Sequence, residues 1–121
     1  MFEISVEDTF AAGHALRGYR GKCEKVHGHN YKVQIAVEGG QLDSAGLLMD
    51  FVELKRLLHG VMERLDHEFL NEVAPFDTVN PTAENMAKYF YDEIALGLPP
   101  DVRLAFVKIW ETDTSTATYR P

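Results

Sequence analysis

The chain's single cysteine and two of its five histidines lie together in the stretch CEKVHGHNY, residues 23–31. If this stretch is extended, alternate side chains share one face about 6.6 Å apart, so His27 and His29 point the same way. Two imidazoles on one face can bind one metal ion, and a catalytic zinc takes three protein ligands and keeps one position open. His14 is the third candidate, because a first strand paired with this one would bring it to the pair. A turn that binds no metal is the alternative for His-Gly-His.

Cys23 is interpreted as a base or nucleophile and not as a fourth metal ligand, because a fourth ligand would close the site. A nearby metal and the cations Lys22 and Lys25 would favour its thiolate form. The alternative for a lone cysteine is a small buried hydrophobe, which the polar sequence GKCEK disfavours. The basic residues of segment 17–25 indicate either a solvated loop or a surface that attracts anions to this site.

Two further places carry groups that could transfer protons or bind a ligand. Asp66 could orient His67 for proton transfer, although a histidine at a helix C-terminus is also favoured by the helix dipole. Glu111 ends the apolar segment LAFVKIW, and a carboxylate buried there would need a partner. A ligand with adjacent N–H and amino groups would satisfy both of its oxygens, and solvent exposure at a strand end is the alternative. His59 lies off the apolar stripe and is predicted to be a surface residue.

Hydropathy patterns predict the elements that must position these side chains. Period-two alternation and β-forming composition predict four strands, at 2–6, 31–37, 102–111 and 114–119. A helical period over 51–65 predicts a first helix, with Asp50 as N-cap and Glu53 as its capping-box partner. A second helix is predicted to begin near Thr82 and to bury Met86, Tyr89, Phe90 and Ile94.

This order of elements predicts a single α+β domain over residues 1–121, with two helices on one face of a four-stranded antiparallel sheet. Two open sheet edges favour association with other chains.

The composition is that of an ordinary globular protein, with 45% apolar residues, 26% charged residues and a net charge of −7. The acidic balance argues against nucleic acid as the main partner. Apolar runs are far shorter than the roughly 20 residues that span a bilayer, and MFEISVEDTF lacks the pattern of a signal peptide. A single cysteine cannot form an internal disulfide, so a cytoplasmic protein is expected.

Six motifs, in order along nearly the whole chain, resemble the 6-pyruvoyl-tetrahydropterin synthase / 6-carboxy-tetrahydropterin synthase (QueD) family. They are FAAGH at 10–14, CEKVHGHNY at 23–31, MDF at 49–51, LDH at 65–67, NPTAEN at 80–85 and ET at 111–112. The resemblance implies a T-fold (tunnelling fold), ββααββ, whose subunits join their sheets into a barrel, usually as a homohexamer of two trimers.

The resemblance also implies a role for each matching residue. It implies Zn²⁺ held by His14, His27 and His29, with Cys23 as the proton-abstracting thiol. Asp66 and His67 match a proton-relay pair contributed by a neighbouring subunit. Glu111 matches the acid that anchors the pterin ring, and Thr82 lies where the family also contacts that ring.

The substrate implied is 7,8-dihydroneopterin triphosphate. In the QueD branch, a carbon–carbon lyase reaction yields 6-carboxy-5,6,7,8-tetrahydropterin, acetaldehyde and triphosphate, on the route to the queuosine precursor preQ0. The animal-type branch yields 6-pyruvoyl-tetrahydropterin instead. Relatives with the pattern E-x-x-H-G-H release 6-hydroxymethyl-dihydropterin, and Glu24, also expected in the substrate site, fits this pattern unless it is only a solvated loop charge. Both bases are present, so dual activity is an alternative, as are a non-catalytic pterin-binding module and a structural zinc domain.

Overall fold

The computed structural model describes residues 1–18 and 25–121, so Cys23 and Glu24 lie outside the described residues. The described part has the predicted order of elements. They are β1 (Phe2–His14), β2 (His27–Gly39), α1 (Phe51–Met62), a short 3-10 helix (Leu70–Glu72), α2 (Ala83–Ala95), β3 (Arg103–Thr112) and β4 (Ser115–Tyr119).

The four strands form one antiparallel sheet in the order β1-β2-β3-β4. The first strand is much longer than the predicted 2–6, because the alternation continues past Asp8 through Phe10 to His14. Asp8 interrupts the apolar face without ending the strand, since its side chain binds His59 of α1. The extra length carries His14 to its cross-strand partner His27.

Both helices begin at the predicted N-caps. The Asp50 carboxylate accepts a hydrogen bond from Val52 N at 2.8 Å, and Thr82 Oγ1 accepts one from Asn85 N at 3.1 Å. The predicted capping box is wrong, because the carboxylate of Glu53 accepts instead from the guanidinium of Arg56 at 2.6 Å. The expected Glu53 contact at the start of α1 is therefore replaced by a pair on its surface.

The core lies between the sheet and the two helices. From the strands it takes Val33, Ile35, Val107 and Ile109, and from the helices Leu54, Leu58, Met86, Phe90 and Ile94. Each such side chain contributes about 1.5–3 kcal/mol through burial. Phe51, the first residue of the apolar stripe predicted over 51–65, is instead 52% exposed at the start of α1. Within the described ranges, neither helix has the length and apolarity to cross a bilayer.

Candidate metal centre and active site

Three imidazoles meet where β1 and β2 end. His14 and His27 are direct cross-strand partners, and His29 follows on the same face of β2. All three side chains point to the side of the sheet that the helices cover. Their ligand atoms and one carboxylate oxygen of Glu111 lie within 4.8 Å of one another. The prediction that the three histidines converge is confirmed by this geometry.

Glu111 joins this cluster from β3, where it follows the buried Ile109 by two residues and therefore shares its face of the strand. Trp110 pairs with Thr116 and Thr112 pairs with Ser115, so Glu111 is the extra residue of a bulge. Glu111 Oε1 lies 3.1 Å from His14 Nε2 and 3.4 Å from His29 Nε2. Its side chain is 29% exposed, so the carboxylate borders both the histidines and the solvent.

Backbone carbonyls fix the orientation of two of the rings. His14 Nδ1 lies 2.7 Å from the carbonyl oxygen of Pro81, and His27 Nδ1 lies 2.7 Å from that of Lys25. A carbonyl oxygen only accepts, so each Nδ1 carries a proton, and in the neutral form of each ring Nε2 presents a lone pair. These two Nε2 atoms are 2.9 Å apart. Two lone pairs at that distance repel each other unless a cation lies between them.

The electrostatics of the cluster favour neutral rings. Burial lowers the pKa of both His14 and His29, and this effect outweighs the opposing influence of the Glu111 carboxylate. His29 Nε2 is buried and forms no hydrogen bond with any group of the described residues, although Glu111 Oε1 lies 3.4 Å away. Three imidazoles, two of which have a lowered pKa, and a carboxylate therefore fit a metal ion, and the cluster could hold one.

Asp66 and His67 form a pair, as predicted, at the outer edge of β1. Asp66 Oδ1 lies 3.0 Å from His67 Nδ1 and accepts a hydrogen bond from Ala11 N, also at 3.0 Å. His67 N donates to the carbonyl oxygen of Ala11 at 2.6 Å, with the residue at a φ of 61°. The hydrogen bond from the Ala11 N–H lowers the pKa of Asp66, and the hydrogen bond with the His67 side chain lowers it further. The imidazole of His67 is 82% exposed, and it lines a cavity of about 520 Å³ together with Gly28, His29 and Phe69.

Two asparagines that sequence reasoning missed hold the chain after His14. Asn71 bonds both backbone groups of Ala15, with distances of 2.9 and 2.8 Å. Asn80 bonds both backbone groups of Arg17, at 2.8 and 2.7 Å. Asn80 belongs to the motif NPTAEN, but the sequence alone assigns it no role. No local pattern indicates a role for Asn71, because its partner Ala15 lies 56 residues away.

The remaining predicted residues fall in different surroundings. Thr82 caps α2, and the two residues after it, Ala83 and Glu84, line a cavity of about 270 Å³ with Glu111 and residues of β4. Arg17, considered for anion attraction, donates to the carbonyl oxygens of Phe76 at 2.9 Å and Asn71 at 3.3 Å.

Comparisons with known proteins agree with this geometry. The family model described as 6-pyruvoyl tetrahydropterin synthase matches residues 3–121. The chain is 38% identical to the 6-carboxy-5,6,7,8-tetrahydropterin synthase of Bacillus subtilis, over 99% of this chain and 86% of that protein. It is 37% identical to the dihydroneopterin monophosphate aldolase of Pyrococcus furiosus, over 85% of this chain and 83% of that protein.

Solved structures give the same answer for the fold. The 6-pyruvoyl tetrahydropterin synthase of Caenorhabditis elegans superposes with a TM-score of 0.89 at 28% identity, covering 99% of this chain and 95% of that one. The four-stranded antiparallel sheet with two helices is therefore the expected T-fold. On the family match and these identities together, the chain belongs to the 6-pyruvoyl tetrahydropterin synthase family.

Proposed function

We propose that this protein is a zinc-dependent carbon–carbon lyase of the cytoplasm. It converts 7,8-dihydroneopterin triphosphate to 6-carboxy-5,6,7,8-tetrahydropterin, acetaldehyde and triphosphate, on the route to preQ0. One observation carries the proposal. Three imidazole nitrogens converge beside Glu111 in a chain that is 38% identical to a relative named 6-carboxy-5,6,7,8-tetrahydropterin synthase.

His14, His27 and His29 would hold the zinc, since neutral imidazole is a preferred zinc ligand. The backbone carbonyls of Pro81 and Lys25 fix two of these rings in the required tautomer. Bound zinc would act as a Lewis acid toward hydroxyl oxygens of the substrate side chain and acidify the neighbouring carbon-bound protons.

Glu111 would bind the pterin ring, by accepting from a ring N–H and the adjacent amino group. Its place supports this role, because the carboxylate borders the histidine cluster and also lines the 270 Å³ cavity at the start of α2. Thr82, as the N-cap of α2, sets the backbone at that cavity. The ring would then lie beside the cluster with the side chain directed at the three histidines.

Two groups would move the protons. Cys23, four residues before His27 in sequence, would remove a proton from the substrate side chain. His67, oriented by Asp66, would handle the other. The high exposure of the His67 imidazole suits a residue that completes the active site of another subunit. Assembly as a homohexamer of two trimers is part of this proposal.

Product identity tests the assignment. Zinc-loaded protein is incubated with 7,8-dihydroneopterin triphosphate, and the pterin product is identified by mass spectrometry. We expect 6-carboxy-5,6,7,8-tetrahydropterin from the wild type. The matched control is Cys23→Ala, which should keep zinc and pterin binding while turnover falls about 10²–10⁴-fold. Hydroxymethyl-pterin as the sole product, or full turnover by Cys23→Ala, contradicts the assignment.

A second candidate activity is cleavage to 6-hydroxymethyl-dihydropterin. The similarity to a relative named dihydroneopterin monophosphate aldolase favours it, as does the presence of Glu24 three residues before His27. Breaking the bond between the first two side-chain carbons would leave a hydroxymethyl group on the ring. If Glu24 serves this reaction, Glu24→Gln lowers the hydroxymethyl product and spares the carboxy product. An unchanged ratio of products removes Glu24 from the chemistry.

A further inference from the structure

Tyr31 is a buried polar residue that the site as described does not use. Its side chain is 0% exposed, and no group of residues 1–18 or 25–121 accepts a hydrogen bond from its hydroxyl. A buried hydroxyl without a partner lowers the stability of a protein, so such groups are rare. Tyr91 makes the contrast within this chain, since its hydroxyl donates to the carbonyl oxygen of Leu104 at 2.8 Å.

The surroundings of Tyr31 differ on its two sides. One face of its ring stacks on Phe10, with centroids 5.2 Å apart and planes 21° apart. Toward the end of the sheet, the imidazole rings of His14 and His29 lie edge-on at 5.9 and 5.4 Å. Burial raises the pKa of Tyr31, and the negative charge of Glu111 raises it further. The phenol therefore lies beside the histidine cluster, and Glu111 supplies the carboxylate that residues 1–18 and 25–121 bring to that cluster.

We propose that Tyr31 is a positioning residue of this site, whose hydroxyl donates to the Glu111 carboxylate and holds it in the orientation that binds the pterin ring. In the structure, Glu111 points its Oε1 at His14 and His29. When those nitrogens are occupied by a cation and Glu111 turns to a ligand, the Tyr31 hydroxyl gains the acceptor it lacks. The stability lost in the free protein is then recovered on binding.

A phenylalanine would satisfy every apolar contact of Tyr31. It would keep the stack on Phe10 and the edge contacts with the histidines, and it would remove the hydroxyl that has no partner. Stability alone therefore favours phenylalanine at this position. The presence of tyrosine is accounted for if the hydroxyl is used in the ligand-bound state.

The test compares Tyr31→Phe with Tyr91→Phe, two removals of a single hydroxyl. We expect Tyr31→Phe to raise the Tm of the metal-free protein by about 3–5 °C and to weaken binding of pterin to the zinc-loaded protein about tenfold. Tyr91→Phe should lower the Tm by a similar amount and leave pterin affinity unchanged. Pterin affinity is measured by fluorescence titration, and zinc stoichiometry should be the same in all variants.

A double-mutant cycle tests whether the hydroxyl acts through Glu111. In a Glu111→Ala background, which removes the acceptor oxygens, Tyr31→Phe should have no further effect on pterin affinity. A lower Tm for Tyr31→Phe means that the hydroxyl is already bonded in the free protein and overturns the inference. Unchanged pterin affinity, or an effect that persists without the Glu111 carboxylate, overturns it as well.

This inference rests on the proposed function, because it treats Glu111 as the anchor of the pterin ring. The two fail in different ways. Wild-type protein that binds pterin but does not cleave the triphosphate substrate contradicts the lyase assignment. The Tyr31 inference is still tested in that case, because Tm and pterin affinity do not depend on turnover. Wild-type protein that does not bind pterin overturns both.

Discussion

The helix-facing side of the sheet has two regions that use the same strands in opposite ways. In the middle, β2 and β3 direct Val33, Ile35 and Ile109 into a core closed by the two helices. At the end of the same strands, the alternation continues with His27 and His29. The periodicity is identical, so the difference lies in what covers the sheet.

The covering element explains why polar side chains are stable at the end of the sheet. Carbonyl groups within α1 and α2 are occupied by helical hydrogen bonds and offer nothing to a buried imidazole. The loop before α2 has free carbonyls, and that of Pro81 accepts from His14 Nδ1 at 2.7 Å. A buried histidine is therefore satisfied under a loop where it would be unsatisfied under a helix. Coverage by a loop is what lets the sheet face change from apolar packing to a histidine cluster that could hold a metal ion.

The largest expected effect is at the cluster. His29→Ala removes one of the three proposed zinc ligands, so affinity for zinc and turnover should both fall more than about a hundredfold. Zinc is measured by atomic emission after dialysis, and turnover by product formation. The matched control is His59→Ala, which removes an exposed histidine of α1 and should leave both quantities unchanged. Stoichiometric zinc in His29→Ala with full turnover would contradict the metal site.

The sequence predicts those parts of the site that are set by residues close together along the chain, and it does not predict the parts that depend on residues far apart. The shared face of His27 and His29 follows from period-two alternation alone. The approach of Glu111 to the histidines requires the pairing register of β2 and β3, which the residues next to Glu111 in sequence do not specify. The bond from Asn71 to Ala15 joins residues far apart in sequence, so only the folded chain reveals it.

The same limit applies to the fold. Strand and helix order follow from local period, and the N-caps of both helices were predicted because a cap and its partner are close in sequence. The capping box failed at Glu53, where two local partners compete and Arg56 is the stronger one for an exposed carboxylate. The docking of Asp66 and His67 on the edge of β1 was not predicted, because its hydrogen bonds go to Ala11, 55 residues away.

A truncation in the apolar core should have the opposite effect to one in the histidine cluster, because it should lower stability and leave zinc binding intact. Ile35→Ala, in the same strand as His29, should lower the free energy of unfolding by about 2–5 kcal/mol through loss of packing. Zinc binding and turnover per folded chain should stay at wild-type values. Urea denaturation of the metal-free protein measures the first, and zinc-loaded activity below the transition measures the second.

The control for Ile35→Ala is Leu96→Ala, since Leu96 is 84% exposed. This truncation should change stability by no more than about 0.5 kcal/mol. Loss of zinc from folded Ile35→Ala would mean that the apolar core and the histidine cluster are not independent. It would contradict the division of this face of the sheet into a packing region and a binding region.

The smallest expected effect concerns a histidine and a carboxylate at the surface. Asp8 of β1 binds His59 of α1, and both side chains are largely exposed. The hydrogen bond from His59 lowers the pKa of Asp8 below its ordinary value of 3.8. A lowered carboxyl pKa adds stability above the unfolded-state value, and this contribution is lost as the pH falls through the folded-state value. Because the pair is exposed, it contributes less than about 1 kcal/mol.

Asp8→Asn should therefore be slightly less stable than wild type at pH 6, and the difference should disappear on acidification from about pH 4 to pH 2. Urea midpoints measured across that range provide the check. Zinc affinity should not change, because the exposed pair lies outside the cluster in which burial keeps His14 and His29 neutral. A stability difference that grows toward low pH would reverse the sign and contradict the lowered pKa of Asp8. Histidine and carboxylate thus occur together at both places, and burial distinguishes an exposed pair that stabilises the fold weakly from a more buried cluster that could hold a metal ion.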